Sequence, residues 1–137
     1  MRVFLDANIL FSASKKDSLL ALLLASLKNK KVHFISNLYA VDEARRNLQI
    51  HYPERISLFE DQINKIEISV MLQIKPPLDK NLVIKEKDLP ILLGAIATKC
   101  DFLVTGDKRD FGHLFGEIIN GTTVVTPRML ADKLGIK

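Results

Sequence analysis

Two periods of hydrophobicity alternate along the 137-residue chain. Apolar runs without internal alternation, at Val3 to Leu5 and in "VHFIS" from Val32 to Ser36, have the pattern of strands covered on both faces. Between them "LLALLLASL" (Leu19 to Leu27) follows Asp17-Ser18, an N-cap pair, and predicts a helix to about Asn29. Asn37 caps a second helical pattern in which Val41, Ala44 and Leu48 share one face. Pro53 suits the first turn of the next helix, whose stripe is Ile56, Phe59, Ile63 and Ile66, and a strand is expected at "ISVMLQI" from Ile68 to Ile74. Pro76-Pro77 then opens a polar loop, "PPLDKNLVIKEK". From Asp88 the series Leu89, Leu92, Leu93, Ile96 and Ala97 predicts a third long helix. Strands follow at "FLV" (Phe102 to Val104) and in "TTVVTP", and a terminal helix lies between Pro127 and Gly135. With no internal repeat, residues 1–137 read as one domain. Strands alternating with helices give an α/β class, a three-layer α/β/α sandwich around a central parallel sheet.

Composition narrows the class. An apolar share of 47% with 26% charged residues belongs to a globular chain that buries a core, which excludes disorder. The net charge of +4 favours a polyanionic partner without naming one. Cys100 stands alone, so neither an internal disulfide nor a cysteine-based zinc cluster can form, and a reducing cytoplasm is the expected setting. The run "LLALLLASL" is about half the length of a membrane span. Asp6 interrupts any apolar core of a secretory signal. A membrane association is therefore not expected.

Candidate chemistry lies in the acids. Open parallel sheets bind ligands outside the carboxyl ends of their strands. Asp6 follows the first strand and Asp107 follows "FLV", so both are expected at that edge, while Asp88 opens the third long helix. Each acid also has a plainer reading: Asp6 as a turn cap, Asp107 as an Asx turn after Gly106, Asp88 as an ordinary N-cap. The helix "AVDEARRNL" offers both Asp42 and Glu43. They flank the Val41, Ala44 and Leu48 stripe at similar offsets, and periodicity does not choose between them.

Taken in order, "VFLDANIL", "AVDEARRNL", "KDLPILLGAIATKCDFLVTGDKRDF" and "VVTP" resemble PIN-domain nucleases, particularly the VapC-like toxins of type II toxin–antitoxin systems, over essentially the whole chain. The resemblance implies an acidic site of Asp6, Glu43, Asp88 and Asp107. It selects Glu43 over Asp42 because the acid is followed by a small and then a basic residue, Glu43-Ala44-Arg45. Asn8 and Thr105 would support those acids, and Asp110 would be a secondary acid. Where many relatives carry a small residue after the third acid, this chain has Leu89-Pro90, so a different local backbone is expected at Asp88.

Gathered carboxylates repel and take up protons unless a cation neutralises them. All-oxygen ligation suits Mg²⁺ or Mn²⁺, whereas His33, His51 and His113 lack the spacing of zinc ligands. The expected reaction is metal-dependent hydrolysis of an RNA phosphodiester, with Asp6, Asp88 and Asp107 holding the ion and Glu43 holding a second ion or orienting the water. Lys15, Lys16, Arg45, Arg46, Lys108 and Arg109 are the cations expected to hold RNA. Tyr39 and Phe111 are the aromatics beside the motifs, Phe111 reading as core, and no base-stacking surface is visible in the sequence. His113 reads as a surface or cap residue and Cys100 as a buried helix-end residue. The expected partners are RNA, a cognate antitoxin protein and a second copy of the chain. Alternatives are an RNA-processing PIN nuclease, a non-catalytic binding module on the same fold, and a haloacid-dehalogenase-type phosphotransferase. The last is disfavoured by Asn8, which stands where that chemistry needs a second aspartate.

Overall fold

A computed structural model describes residues 1–28, 30–70 and 76–136. Among them the elements run β1 (Arg2–Leu5), α1 (Ala7–Ala13), α2 (Leu19–Lys28), β2 (His33–Asn37), α3 (Leu38–His51), α4 (Ile56–Ile63), β3 (Glu67–Ser69), α5 (Leu89–Ala97), β4 (Phe102–Val104), α6 (Lys108–Phe111), β5 (Ile118–Ile119), β6 (Thr122–Val125) and α7 (Pro127–Lys133). The strands form one sheet in the order β3-β2-β1-β4-β6-β5. All neighbours are parallel except β5, which pairs antiparallel with β6 at one edge. The expected parallel sheet is thus a mostly parallel one. A strand as short as Ile118–Ile119 carries too few residues for a pattern to announce it.

The order of the strands positions the site. The chain leaves the central β1 toward β2 on one side and reaches β4 on the other, so the carboxyl end of β1 is where the direction of winding changes. Leu5 is in register with Val104, and the Asp6 amide donates to the Val104 carbonyl at 3.1 Å. Asp6 and Thr105 therefore emerge side by side. Beneath them Phe4, Leu5, Ile35, Leu103 and Val124 are fully buried or nearly so. Burying one side chain of this size is worth about 1.5–3 kcal/mol, so the platform under the site is firmly anchored.

Local chemistry explains where elements begin. The Asn37 carboxamide oxygen accepts from the Ala40 amide at 3.0 Å and starts α3. Ser18, one half of the expected cap pair, accepts from the Ala21 amide at 3.0 Å and starts α2. Pro53 opens a short 3-10 turn that leads into α4, which stops at Ile63. The expected stripe residue Ile66 lies past that end, half-buried, before β3. Of the strand expected at "ISVMLQI", the structure shows Glu67–Ser69 paired with β2, and residues 71–75 lie outside the described residues. The helix α1 has no counterpart in the sequence reading. Among the described residues no helix is long and apolar enough to cross a membrane.

The polar loop from Pro76 to Lys87 has no regular structure but is tethered at several points. Asn120 donates to the Pro77 carbonyl at 3.2 Å and the Tyr39 hydroxyl to the Lys87 carbonyl at 2.6 Å. His113, a surface residue as expected, places Nε2 at 2.6 Å from the Val83 carbonyl oxygen. Cys100 is buried just past the end of α5.

Candidate active site

The site is organised around the adjoining ends of β1 and β4. Asp6 caps α1, accepting from the Ala7 amide at 2.6 Å. Its second oxygen accepts from the Thr105 hydroxyl at 2.8 Å and from the Asn8 carboxamide at 3.2 Å. Asn8 also donates to Thr105 Oγ1 at 3.2 Å and accepts from the Gly106 amide at 2.8 Å. Thr105 Oγ1 in turn accepts from the Asp107 amide at 3.2 Å. Asp6 thus serves as the expected cap and at the same time presents a carboxylate at the sheet edge. Burial raises its pKa from 3.8 to about 6 despite the lowering effect of the Thr105 and Ala7 bonds, with the negative charges of Glu43 and Asp107 adding to the rise.

On α3 the two acids lie in different places. Glu43 lines a cleft shared with Asp6, Asp88 and Asp107. Asp42 lies instead beside Arg45, at 3.3 Å from Nη1, in a separate hollow with Tyr39 and Arg46. Arg45 is engaged further by Glu60 of α4, through Nε to Oε1 at 2.7 Å and Nη2 to Oε2 at 3.1 Å, and its guanidinium lies 5.6 Å from the centroid of Phe59. An arginine expected to hold RNA is therefore committed to joining two helices. A planar fork held on both prongs has little left to offer a phosphate.

Asp88 stands at the N-cap position of α5 yet makes no side-chain cap bond, so the plain capping reading fails there. Asp88 itself is helical in φ and ψ, and Pro90 occupies the first turn of α5. Its Oδ2 is buried and meets no hydrogen-bond donor. Carboxylate oxygens of Asp88, Asp107 and Asp110 all lie within 4.8 Å of one another. Asp107 caps α6 by accepting from the Asp110 amide at 3.0 Å.

Asp110, read from sequence as a secondary acid, is 4% exposed and lies 2.7 Å from Lys85 Nζ and 3.0 Å from Lys87 Nζ. The Lys85 contact is an ion pair without good hydrogen-bond angles, since that same Asp110 oxygen counts as unmatched by directional donors. These two lysines hold the Asp110 carboxyl well below the usual carboxylate range. Asp88, facing it, is pushed the other way, from 3.8 to about 6, by burial first and by the neighbouring Asp110 second.

Together these groups border a cleft of about 370 Å³ lined by Asp6, Glu43, Asp88 and Asp107 on its acidic side. All four acids expected at the site reach it, and Asn8 does as well, while Thr105 lies buried behind Asp6. Of the six cations expected to hold RNA, none lines it among the described residues. Lys15, Lys16, Arg46, Lys108 and Arg109 are exposed outside it. The lysine that does line it is Lys87, and it is joined by Phe11, Asn47 and His51. The signal for the last two was present in the sequence: Glu43, Asn47 and His51 recur every fourth residue and share one face of α3 once Glu43 is known to face the cleft.

The donor set fits a hard divalent cation. Every acid at the cleft offers oxygen, two of them are raised to about 6 by burial and crowding, and one buried carboxylate oxygen is unmatched. Asp110 is less suited, because its charge is already met by Lys85 and Lys87.

Comparison with known proteins agrees with this layout. The family profile described as the PIN domain matches residues 2–109, more than half of the chain. The chain belongs to the PIN-domain family. Among solved structures, this PIN domain is similar to one described as VapBC2 from Rickettsia felis bound to a DNA fragment from their promoter, with a TM-score of 0.66 and 19% identity over 92% of this chain and 98% of that one. It is also similar to VapBC-1 from nontypeable Haemophilus influenzae, with a TM-score of 0.59 and 13% identity over 93% and 99% of the two chains. At such identities the likeness is one of fold. No curated protein sequence matches the chain.

Proposed function

We propose that this PIN domain is a Mg²⁺- or Mn²⁺-dependent endoribonuclease and the toxin of a toxin–antitoxin pair. The observation that carries the reading is the convergence of Asp6, Glu43, Asp88 and Asp107 on one cleft at the carboxyl edge of the sheet, with a buried Asp88 oxygen left unmatched. Asp6, Asp88 and Asp107 would hold the ion, and Glu43, exposed on α3 where it also lines the cleft, would hold a second ion or orient the attacking water. When bound, a hard divalent ion supplies charge neutralisation for the carboxylates and for a phosphodiester under in-line attack. The chain's own part is to fix the acids. Thr105 and Asn8 hold Asp6 by hydrogen bonds, and the capping bond of Asp107 sets its side chain toward the cleft. Lys87 lines the cleft, and although its ammonium lies 3.0 Å from Asp110 its side chain is largely exposed, so it would still offer positive charge to the RNA backbone.

The toxin role, an antitoxin partner and a paired assembly rest on the likeness to the VapBC structures and on the resemblance to VapC. The test has two arms. Purified chain should cleave RNA with Mn²⁺ or Mg²⁺ and not with EDTA, and Asp6→Asn or Asp107→Asn should reduce cleavage at least a hundredfold. Expression of the unaltered chain without a partner should arrest growth, and expression of Asp6→Asn should not. Undiminished cleavage by Asp6→Asn would end the metal-site reading.

A further inference from the structure

Along α3 the lining of the cleft passes from an acid to neutral polar groups. Glu43, Asn47 and His51 lie along one face of α3, and at 1.5 Å of rise per residue the stripe runs about 12 Å away from the carboxylate end. Phe11 of α1 also lines the cleft. The Phe11 ring meets Tyr52 edge-on, with centroids 5.9 Å apart at 62°, and His51 meets Tyr52 at 6.5 Å and 53°. The Arg55 guanidinium lies 4.9 Å from the Phe11 centroid and 4.8 Å from that of Tyr52. It is fixed there by Nε to Ser14 Oγ at 3.1 Å and by a bond from Nη2 to the Phe11 carbonyl. A cation held this way has no freedom to follow a phosphate. Its effect is to stiffen the aromatic group of Phe11 and Tyr52 beside the cleft.

A rigid wall of planar rings beside a carboxamide is a poor surface for a phosphate and a good one for a nucleobase. Rings supply a stacking face, and the Asn47 carboxamide supplies both a donor and an acceptor for a base edge. The cleft, about 370 Å³, is at the lower end of the range for small-ligand sites, roughly 300–1,000 Å³, which suits one flipped-out nucleotide rather than a duplex. We propose that Phe11, Asn47 and His51 form a nucleobase subsite beside the four acids, which takes an unpaired base of single-stranded RNA next to the scissile phosphate. This rests on the nuclease reading for its reaction, but the base contact can be measured without cleavage.

The probe is a set of single-stranded hexaribonucleotides in which an abasic residue is moved through every position, with 2-aminopurine as the reporter in the intact strand. Binding is measured with Ca²⁺ in place of Mn²⁺ to keep the RNA whole. Stacking is worth about 1–3 kcal/mol per base, about fivefold to 150-fold in affinity. At one position, therefore, the abasic residue should weaken binding to the unaltered chain within that range, and 2-aminopurine placed there should be quenched. His51→Ala should lose affinity for the intact strand to a similar extent, with little further loss from the abasic residue, and His51→Phe should restore it. His51 is exposed at the end of α3, so these variants should fold. Equal affinity of His51→Ala and the unaltered chain for every strand would overturn the proposal. So would a flat abasic scan with Mn²⁺-dependent cleavage intact, which leaves the nuclease reading standing. Quenching at one position without any cleavage would support the subsite and defeat the nuclease reading instead.

Discussion

Replacing Asp6 by Asn should stabilise the cation-free protein while removing its response to the cation. Burial raises the Asp6 pKa from 3.8 to about 6, and at about 1.4 kcal/mol per unit the ionised side chain costs the folded state about 3 kcal/mol. The sign follows from the direction of the shift. An acid with a raised folded pKa binds its proton more tightly when folded, so the cost is absent below the ordinary value of 3.8 and complete above about 6. Asn removes the charge but turns an amide N–H₂ toward the Thr105 hydroxyl or the Ala7 amide, where donors already point, and one such mismatch returns about 1 kcal/mol. The net gain at pH 7.5 is about 2 kcal/mol, or about 5–10 °C in Tm for a domain of this size. Thermal denaturation in EDTA at pH 7.5 and pH 4.5 measures it, and the gain should shrink or reverse at the lower pH. Adding Mn²⁺ at a hundredfold excess over its Kd should stabilise the unaltered chain by about 2.7 kcal/mol and Asp6→Asn by far less. An Asp6→Asn protein that melts no higher than the original in EDTA at pH 7.5, or that gains as much from Mn²⁺, would refute the reasoning.

Other outcomes follow from particular contacts. A Cβ on Gly94 would sit 2.5 Å from Asn37 Nδ2 and 3.0 Å from Phe4 Cζ, both fully buried, so Gly94→Ala should cost about 1–3 kcal/mol by urea denaturation and lower RNA cleavage through the displaced α5. The bond from Arg45 holds the Glu60 pKa below its usual 4.5; Glu60→Gln should cost about 0.5–1 kcal/mol at pH 7, a partly exposed pair being screened, and the loss should fade as pH falls below 4.5, where Glu60 itself protonates. Lys87→Met should raise the KM for RNA several-fold and weaken its dependence on salt, whereas Lys108→Met, outside the cleft, should change both little; equal effects would remove Lys87 from the substrate path.

What the sequence could reveal was set by how local the signal is. Asp6 and Asp107 were legible because the first directly follows an apolar run and the second comes within one short turn of another, and strand ends in a parallel sheet share an edge whatever the rest of the chain does. Periodicity could not choose between Asp42 and Glu43, which only the motif Glu43-Ala44-Arg45 separated, because the choice depends on the roll of α3 against α1 and the sheet rather than on the helix's own stripe. Asp110 looked secondary because its partners, Lys85 and Lys87, come from a patternless loop more than twenty residues earlier. Phe11 was hidden for the same reason, since it lies on a different helix from His51 and outside the acidic motifs, whereas the four-residue spacing from Glu43 pointed to His51. Arg45 was misjudged because its partner Glu60 is reached only across a helix pair. The short α1 and β5 escaped because a few residues cannot establish a period.

A hydroxyl has one proton to give, and at Thr105 that makes the array of polar groups run one way. Its oxygen already receives N–H groups from Asn8 and from the Asp107 backbone, so the single proton must go to Asp6. Two strand ends that are far apart in the chain are thereby read through one atom, and the orientation of the first acid is conditional on the backbone that carries the last. A serine could keep this direction of flow. A valine of nearly the same shape would take one bond from each of three neighbours at once, although nothing about its volume would give warning.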